Sequence, residues 1–142
     1  MDSIIKIQQD IIDDFSLYDD WADKYEYIIE MGKTLPALDH QYKSEEFRIH
    51  GCQSQVWLHA DFDGKNLHFQ ADSDAFITKG LIGLLVRVLS GHSPKEIAET
   101  DLFFLNEIGL KEHLSPTRAN GLASMVKQMK TYALAYQTKQ VS

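Results

Sequence analysis

The stretch VWLHADFDGKNLHFQA, residues 56–71, decides the fold, because its apolar and polar residues alternate on both sides of an Asp-Gly pair. Alternation with a period of two is typical of a strand with one buried face. Asp63-Gly64 is a strong signal for a two-residue turn, since both positions tolerate positive φ. The sequence therefore predicts an antiparallel hairpin with its apolar residues on one face.

A two-residue turn would also fix the register of this hairpin. On the apolar face it pairs Phe62 with Lys65, Ala60 with Leu67, Leu58 with Phe69 and Val56 with Ala71. Most of these pairs are apolar on both sides, which supports the register. On the polar face the same register sets His59 directly opposite His68. Two histidines could begin a metal site, but no third ligand is evident, and an exposed polar face is the simpler interpretation.

Helical patterns precede the hairpin. Apolar residues at helical spacing predict an amphipathic helix near residues 3–15. Asp19 or Asp20 can cap a second helix, and Gly32 is its expected end. The loop that follows leads into EFRIH, residues 46–50, which we expect to form a third strand.

Helical patterns also follow the hairpin. A largely apolar segment over residues 75–90 predicts a buried helix, in which Gly80 and Gly83 allow another element to approach closely. Asp74 is most simply a cap of this helix. Further helices are expected over 94–99, over 101–108 and from Ser115-Pro116 onward.

The order of these elements predicts an α+β fold, with a small antiparallel sheet and helices packed on one of its faces. With 142 residues, of which 44% are hydrophobic, the chain is expected to form a single domain over residues 1–142. Its one cysteine cannot form an internal disulfide, which suggests a reducing compartment.

Charge and hydropathy exclude several classes of function. The formal charge of −7 disfavours nucleic acid, whose phosphates require basic patches, and favours protein partners or a small substrate. The N-terminus lacks the basic segment of a signal peptide, and the longest apolar segment is interrupted by Arg87. No phosphate loop or zinc motif is present. We therefore expect a cytoplasmic protein that binds no membrane, no metal and no organic cofactor.

Cys52, the only cysteine, lies in RIHGCQSQVW, residues 48–57. It follows Gly51 and precedes three polar residues, which is typical of an exposed or half-exposed turn in front of a strand. One interpretation is a buried structural thiol, because free cysteines are commonly buried. The other is a nucleophile at the tip of a loop, where the thiolate is the reactive form.

The sequence neighbours of Cys52 leave its activation open. Arg48 and His50 lie nearby, but so do the acidic residues Glu45 and Glu46. His50 could act as a base for Cys52 if the segment is extended, or it could simply face solvent. The weak local activation argues against a self-sufficient hydrolase. It favours a thiol that is activated in the active site of a partner.

Arg118 stands in the first turn of the last predicted helix, within SPTRANG at residues 115–121. A cation at this end of a helix opposes the helix dipole. This suggests a partner carboxylate, either within the chain or on another protein. A solvated surface arginine is the alternative.

The run GCQSQVW, residues 51–57, resembles the signature of the SufE family of sulfur-acceptor proteins. Three further stretches agree with that family and occur in the same order: YEYIIEMGKTLP at 25–36, DSDAFITKGLIGLL at 72–85 and LSPTRANGL at 114–122. The resemblance therefore extends through nearly the whole chain.

The resemblance implies an α+β fold similar to the IscU-type scaffold proteins. It implies that Cys52 takes sulfane sulfur from the persulfide of a pyridoxal-phosphate-dependent cysteine desulfurase of the SufS or CsdA type. The sulfur would then pass to a SufBCD-type scaffold for iron–sulfur cluster assembly. The residues that would shape the loop or contact a partner are Gly51, Gln53, Ser54, Asp74 and Arg118.

Other classes of function stay open from the residues alone. A self-contained cysteine hydrolase would use Cys52 and His50, and an interaction module would keep Cys52 for packing. An iron–sulfur scaffold is disfavoured, because one cysteine and scattered histidines do not offer the usual thiolate set. The sequence leaves both a monomer and a homodimer open.

Overall fold

The computed structural model describes residues 2–141, with side chains described through residue 138. Its strands are β1 (Val56–Phe62) and β2 (Leu67–Ser73), which pair as a two-stranded antiparallel sheet. Its helices are α1 (Ile4–Ser16), α2 (Trp21–Lys33), α3 (Phe76–Leu89), α4 (Pro94–Glu99), α5 (Phe104–Glu107), α6 (Leu110–His113) and α7 (Pro116–Val141). The predicted α+β fold is therefore confirmed. Among the described residues, none of the helices combines the length and apolar character that crossing a membrane requires.

The hairpin forms where the sequence predicts it, but its register is shifted by two residues. Phe62 pairs with Leu67, so the predicted pairing of Phe62 with Lys65 is wrong. The loop is longer because the Asp63 carboxylate accepts hydrogen bonds from the backbone N–H groups of Lys65 and Asn66, at 2.9 and 2.7 Å. The Asn66 N–H, followed by the His68 side chain and the Lys65 N–H, lowers the pKa of Asp63 to about 2. A shift of two leaves every side chain on its predicted face.

The observed register separates the two histidines of the polar face. His59 pairs with Gln70 and His68 pairs with Asp61, so the prediction that these histidines lie opposite each other is wrong. His68 instead places Nε2 at 2.9 Å from Oδ2 of Asp63. Within the part of the chain that the structure describes, no cluster of three His, Cys, Asp or Glu side chains could hold a metal ion.

Residues 46–50 do not form the predicted third strand. The segment starts in a short 3₁₀ turn, Glu45–Phe47, and a single bridge between Arg48 and Trp57 joins it to β1. The turn uses the N–H group of Arg48, which donates to the carbonyl of Glu45 at 3.3 Å. That donor is no longer available to extend a strand ladder.

Glycines allow helices α2 and α3 to pack very closely. A Cβ on Gly80 would overlap the carbonyl group of Ile28, whose carbon would lie 2.6 Å away, and a Cβ on Gly83 would also meet the α2 backbone. The predicted role of Gly80 and Gly83 is thus confirmed. The prediction that Gly32 ends α2 is wrong, because the helix continues to Lys33 and Gly32 lies directly against Gly80.

The core lies between the apolar face of the hairpin and the helices that cover it. Helix α3 packs on β2 and, with α7, encloses the centre of the core. The other face of the hairpin carries His59, which stacks on Tyr42 with ring centroids 3.7 Å apart. The segment before β1 therefore lies on this second face and continues directly into the cysteine loop.

Candidate functional site

Backbone hydrogen bonds hold both ends of the loop that carries Cys52. At one end, the N–H of the buried residue Ile49 donates to the carbonyl of Val56 at 2.8 Å. At the other end, the N–H of Gln55 donates to Oδ1 of Asp74 at 3.0 Å, and the N–H of Asp74 donates to the carbonyl of Gln55 at 3.2 Å. These bonds fix the base of the loop and leave Cys52 on the turn between them.

The prediction that Asp74 caps helix α3 is wrong. The residue that precedes this helix is Ala75, and no side chain caps the helix by a hydrogen bond. The carboxylate of Asp74 is used instead by the N–H of Gln55. Asp74 therefore joins the end of the cysteine loop to the start of α3.

The backbone conformation at Gly51 and its contact with helix α7 both require a residue without a side chain. Its φ of +95° lies in the left-handed region that favours glycine. In addition, a Cβ at this position would overlap Oγ of Ser124 on helix α7 and lie 3.3 Å from the Ser124 Cβ. The turn before Cys52 can therefore pack against α7 only with glycine at this position.

The thiol of Cys52 faces a second glycine, Gly121, inside helix α7. The S–H group donates to the carbonyl of Gly121, with 3.5 Å between Sγ and the oxygen. A Cβ on Gly121 would lie 3.4 Å from Sγ, an ordinary van der Waals contact, so the sulfur lies against this glycine without requiring it. The sequence offered one signal for this contact: Gly121 lies within a predicted helix, and a glycine there usually has a packing or functional reason.

A small cavity of about 60 Å³ adjoins this sulfur. Its lining is formed by Cys52, Gln53, Ser54, Thr78, Leu81, Thr117, Arg118, Gly121 and Met125. One water needs roughly 10–15 Å³ measured this way, so the cavity has room for an atom beyond the thiol sulfur. The site is therefore a half-buried thiol beside a partly enclosed space.

The structure brings together four of the residues that the sequence singled out. Cys52, Gln53, Ser54 and Arg118 all line the cavity, whereas Gly51 and Asp74 shape its loop from either side. The contributions of α3 and of the first three turns of α7 were missed by sequence reasoning. These missed residues are Thr78, Leu81, Thr117, Gly121 and Met125.

His50 and Arg118 lack the internal partners that the sequence left open. His50 is exposed, and no hydrogen bond joins it to Cys52 among the described residues. Arg118 is exposed at the rim of the cavity, and its side chain forms no ion pair with any described carboxylate. The structure therefore offers no described internal carboxylate partner for Arg118, and both a carboxylate on a second protein and a solvated surface arginine stay open.

Burial raises the pKa of the Cys52 thiol, and the nearby Arg48 guanidinium lowers it to a smaller extent. Desolvation disfavours the thiolate, because the charged form loses more hydration than the neutral form. Arg48 is itself paired with Glu45 at 3.0 Å, which weakens its field. At neutral pH the resting thiol is therefore largely protonated, with a smaller thiolate fraction than a free cysteine has.

We expect the alkylation of Cys52 by iodoacetamide to rise with pH through a midpoint above about 8.5, the value of a free thiol. Because the folded-state pKa is raised, thiolate forms only at higher pH, and unfolding in urea should return the midpoint to its ordinary value. An Arg48→Gln variant should shift the midpoint further upward, whereas Lys65→Gln on the distant hairpin loop should not. Rates from intact-mass spectra would measure this, and a midpoint below that of free cysteine would contradict it.

Fold and loop together define a small α+β protein with one half-buried cysteine set against a helix glycine. The chain belongs to the SufE family: the family model described as SufE, Fe-S metabolism associated domain, matches residues 9–133. The resemblance seen in the sequence motifs is thereby confirmed.

Individual relatives agree with this assignment. The chain is 44% identical, over 128 residues, to an uncharacterized SufE-like protein of Rhizobium meliloti, covering 87% of this chain and 91% of that protein. It is 42% identical, over 132 residues, to SufE-like protein 1, chloroplastic/mitochondrial, of Arabidopsis thaliana, covering 92% of this chain and 36% of that protein. The solution structure of a hypothetical protein from Thermus thermophilus has a TM-score of 0.76 and 23% identity, covering 93% and 96% of the two chains. That structure supports the fold alone.

Proposed function

We propose that this protein accepts sulfane sulfur on Cys52 from a pyridoxal-phosphate-dependent cysteine desulfurase of the SufS or CsdA type. It then carries that sulfur to a SufBCD-type scaffold for iron–sulfur cluster assembly in the cytoplasm. Membership of a family associated with Fe–S metabolism supports the general role. The observation that carries the proposal for this residue is the lone thiol beside a cavity with room for one more atom.

The transfer step is an exchange in which no external oxidant is needed. The Cys52 thiolate attacks the outer sulfur of the desulfurase persulfide, and a new S–S bond forms as the old one breaks. The desulfurase cysteine leaves as a thiolate, and Cys52 becomes the persulfide. A single cysteine suits this carrier, because a second thiol nearby would attack the persulfide and release sulfide.

The raised pKa of Cys52 implies that the desulfurase, and not this protein, activates the thiol for attack. A thiol that is protonated at rest must lose its proton before it attacks, so the desulfurase site has to supply the base or the positive field. Hydrogen bonds hold both ends of the loop, and the turn between them contacts α7 through the thiol bond to Gly121, so we propose that this turn moves outward when the donor binds. After transfer, the outer sulfur would occupy the cavity, whose walls partly shield it from solvent.

The desulfurase turnover assay tests the proposed function. The protein should accelerate alanine formation from cysteine by its cognate desulfurase when reductant is present to remove the delivered sulfur. No acceleration and no bound sulfur, with a desulfurase that is active alone, would overturn the proposal.

The hydrolase alternative is tested by His50→Ala. We expect this variant to keep its stimulation within about twofold of the unaltered protein, because His50 is exposed and forms no described hydrogen bond with Cys52. His40→Ala, another exposed histidine, is the matched control. Stimulation lost only in His50→Ala would contradict this expectation and favour a Cys-His pair.

A further inference from the structure

A second, larger concave surface lies on the opposite side of the first turns of helix α7. We call it the α5–α7 groove, and its volume is about 320 Å³. It is lined by Leu102, Leu105, Asn106, Leu110, Lys111, Ala119, Leu122, Ala123, Val126 and Lys127. Leucine, valine and alanine side chains make up most of this lining, so the floor of the groove is apolar. Apolar concave surfaces of this size are typical of binding sites.

The rim of the groove carries positive charge on an acidic protein. Lys111 stands on α6 and Lys127 on α7, so the two ammonium groups come from different walls. Both residues are exposed, and neither forms an ion pair with a described carboxylate. Since the whole chain has a formal charge of −7, these two lysines mark a place where an acidic partner is favoured rather than repelled.

The groove is continuous with the Cys52 site through helix α7. Thr117 and Gly121 of this helix face the cavity beside Cys52, whereas Ala119 and Val126 face the groove. At 1.5 Å per residue, the stretch from 117 to 126 is only about 14 Å long. A protein that covers the mouth of the cysteine cavity therefore lies within one helix width of the groove.

We propose that the α5–α7 groove docks an amphipathic helix of the sulfur donor, with acidic side chains directed at Lys111 and Lys127. This inference rests on the proposed function, because the donor is the cysteine desulfurase. A groove between helices with an apolar floor is the geometry that receives one face of a helix, and the two lysines fix its direction. Docking here would hold the donor while the cysteine loop swings outward.

Two kinds of variant test this groove. Lys111→Glu/Lys127→Glu reverses the rim charges, and Lys65→Glu/Lys95→Glu changes the net charge equally from exposed sites elsewhere. Ala123→Trp fills the groove without a change of charge, at an exposed position that leaves the core intact. By titration calorimetry against the cognate desulfurase, the reversal and Ala123→Trp should each raise Kd at least about tenfold, and the control less than about threefold.

The alkylation rate of Cys52 should be the same in all of these variants, which shows that the loop is intact. Normal sulfur transfer with unaltered Kd in both groove variants would overturn the groove inference and leave the proposed function standing. No sulfur transfer to the unaltered protein would overturn the proposed function, and the inference with it. A dimer of the unaltered protein that Ala123→Trp dissociates would assign the groove to a second copy and overturn its assignment to the donor.

Discussion

A Cys52→Ser variant is expected to lose sulfur acceptance completely while keeping its fold. A serine hydroxyl forms no persulfide, so stimulation of the desulfurase should fall to the rate measured without the protein. The fold should persist because the thiol is only half-buried and its single described bond, to the carbonyl of Gly121, can be replaced by a hydroxyl. The free energy of unfolding should therefore change by no more than about 1 kcal/mol.

The stability and the desulfurase stimulation of Cys52→Ser together distinguish the proposed sulfur carrier from an interaction module with a structural cysteine. The module predicts the reverse pattern, in which Cys52→Ser loses stability but keeps its effect on the desulfurase. Ser44→Ala is a suitable control, since Ser44 is exposed, lies outside the cavity and makes no side-chain cap hydrogen bond. Parallel urea unfolding and turnover measurements on both variants would decide between the two patterns.

Gly80→Ala is expected to destabilise the protein by about 3 kcal/mol, the upper part of the range for overpacked cores. The added Cβ would overlap the backbone carbonyl of Ile28, which cannot rotate away as a side chain could. Helices α2 and α3 would have to separate, and buried contacts along their whole interface would weaken. Helix propensity acts in the opposite direction, by at most about 1 kcal/mol, so the steric effect decides the sign.

Gly121→Ala is the matched control for that prediction. Gly121 is also a buried glycine inside a helix, but its Cβ would lie 3.4 Å from Sγ of Cys52, an ordinary contact. Its free energy of unfolding should stay within about 1 kcal/mol of the unaltered protein. Equal stability of Gly80→Ala and Gly121→Ala in urea would contradict the close packing of α2 on α3.

Local patterns in the sequence were sufficient for the hairpin and the longer helices, but they missed the short helix α6 (Leu110–His113) and the hairpin register. The period of two depends only on which face is buried, and that face was predicted correctly. The register instead depends on the Asp63 side chain, which bonds to the N–H groups of Lys65 and Asn66 and lengthens the loop. An Asp-Gly pair alone does not reveal such a competing hydrogen bond.

The predictions for Gly32 and Asp74 were wrong because tertiary contacts determine the role of each residue. Gly32 has the features of a helix end, yet it serves the contact of α2 with Gly80. Asp74 has the features of a cap, yet its carboxylate is taken by the N–H of Gln55. In each case the partner lies far away in sequence, so local propensity could not predict it.

The candidate site was only partly predictable for the same reason. The motif around Cys52 identified the loop, because its glycine and polar residues are contiguous in the chain. The opposite wall of the cavity comes from Thr78 and Leu81 on α3 and from Met125 on α7. Those residues meet Cys52 only after the helices pack on the sheet.

The central claim is that Cys52 itself carries the transferred sulfur. Its most direct test is the intact mass of the purified protein after incubation with its cognate desulfurase, pyridoxal phosphate and cysteine. We expect a gain of one sulfur atom that maps to the peptide with Cys52, is reversed by reductant and is absent from Cys52→Ser. No gain with an active cognate desulfurase, or an equal gain in Cys52→Ser, would contradict the claim.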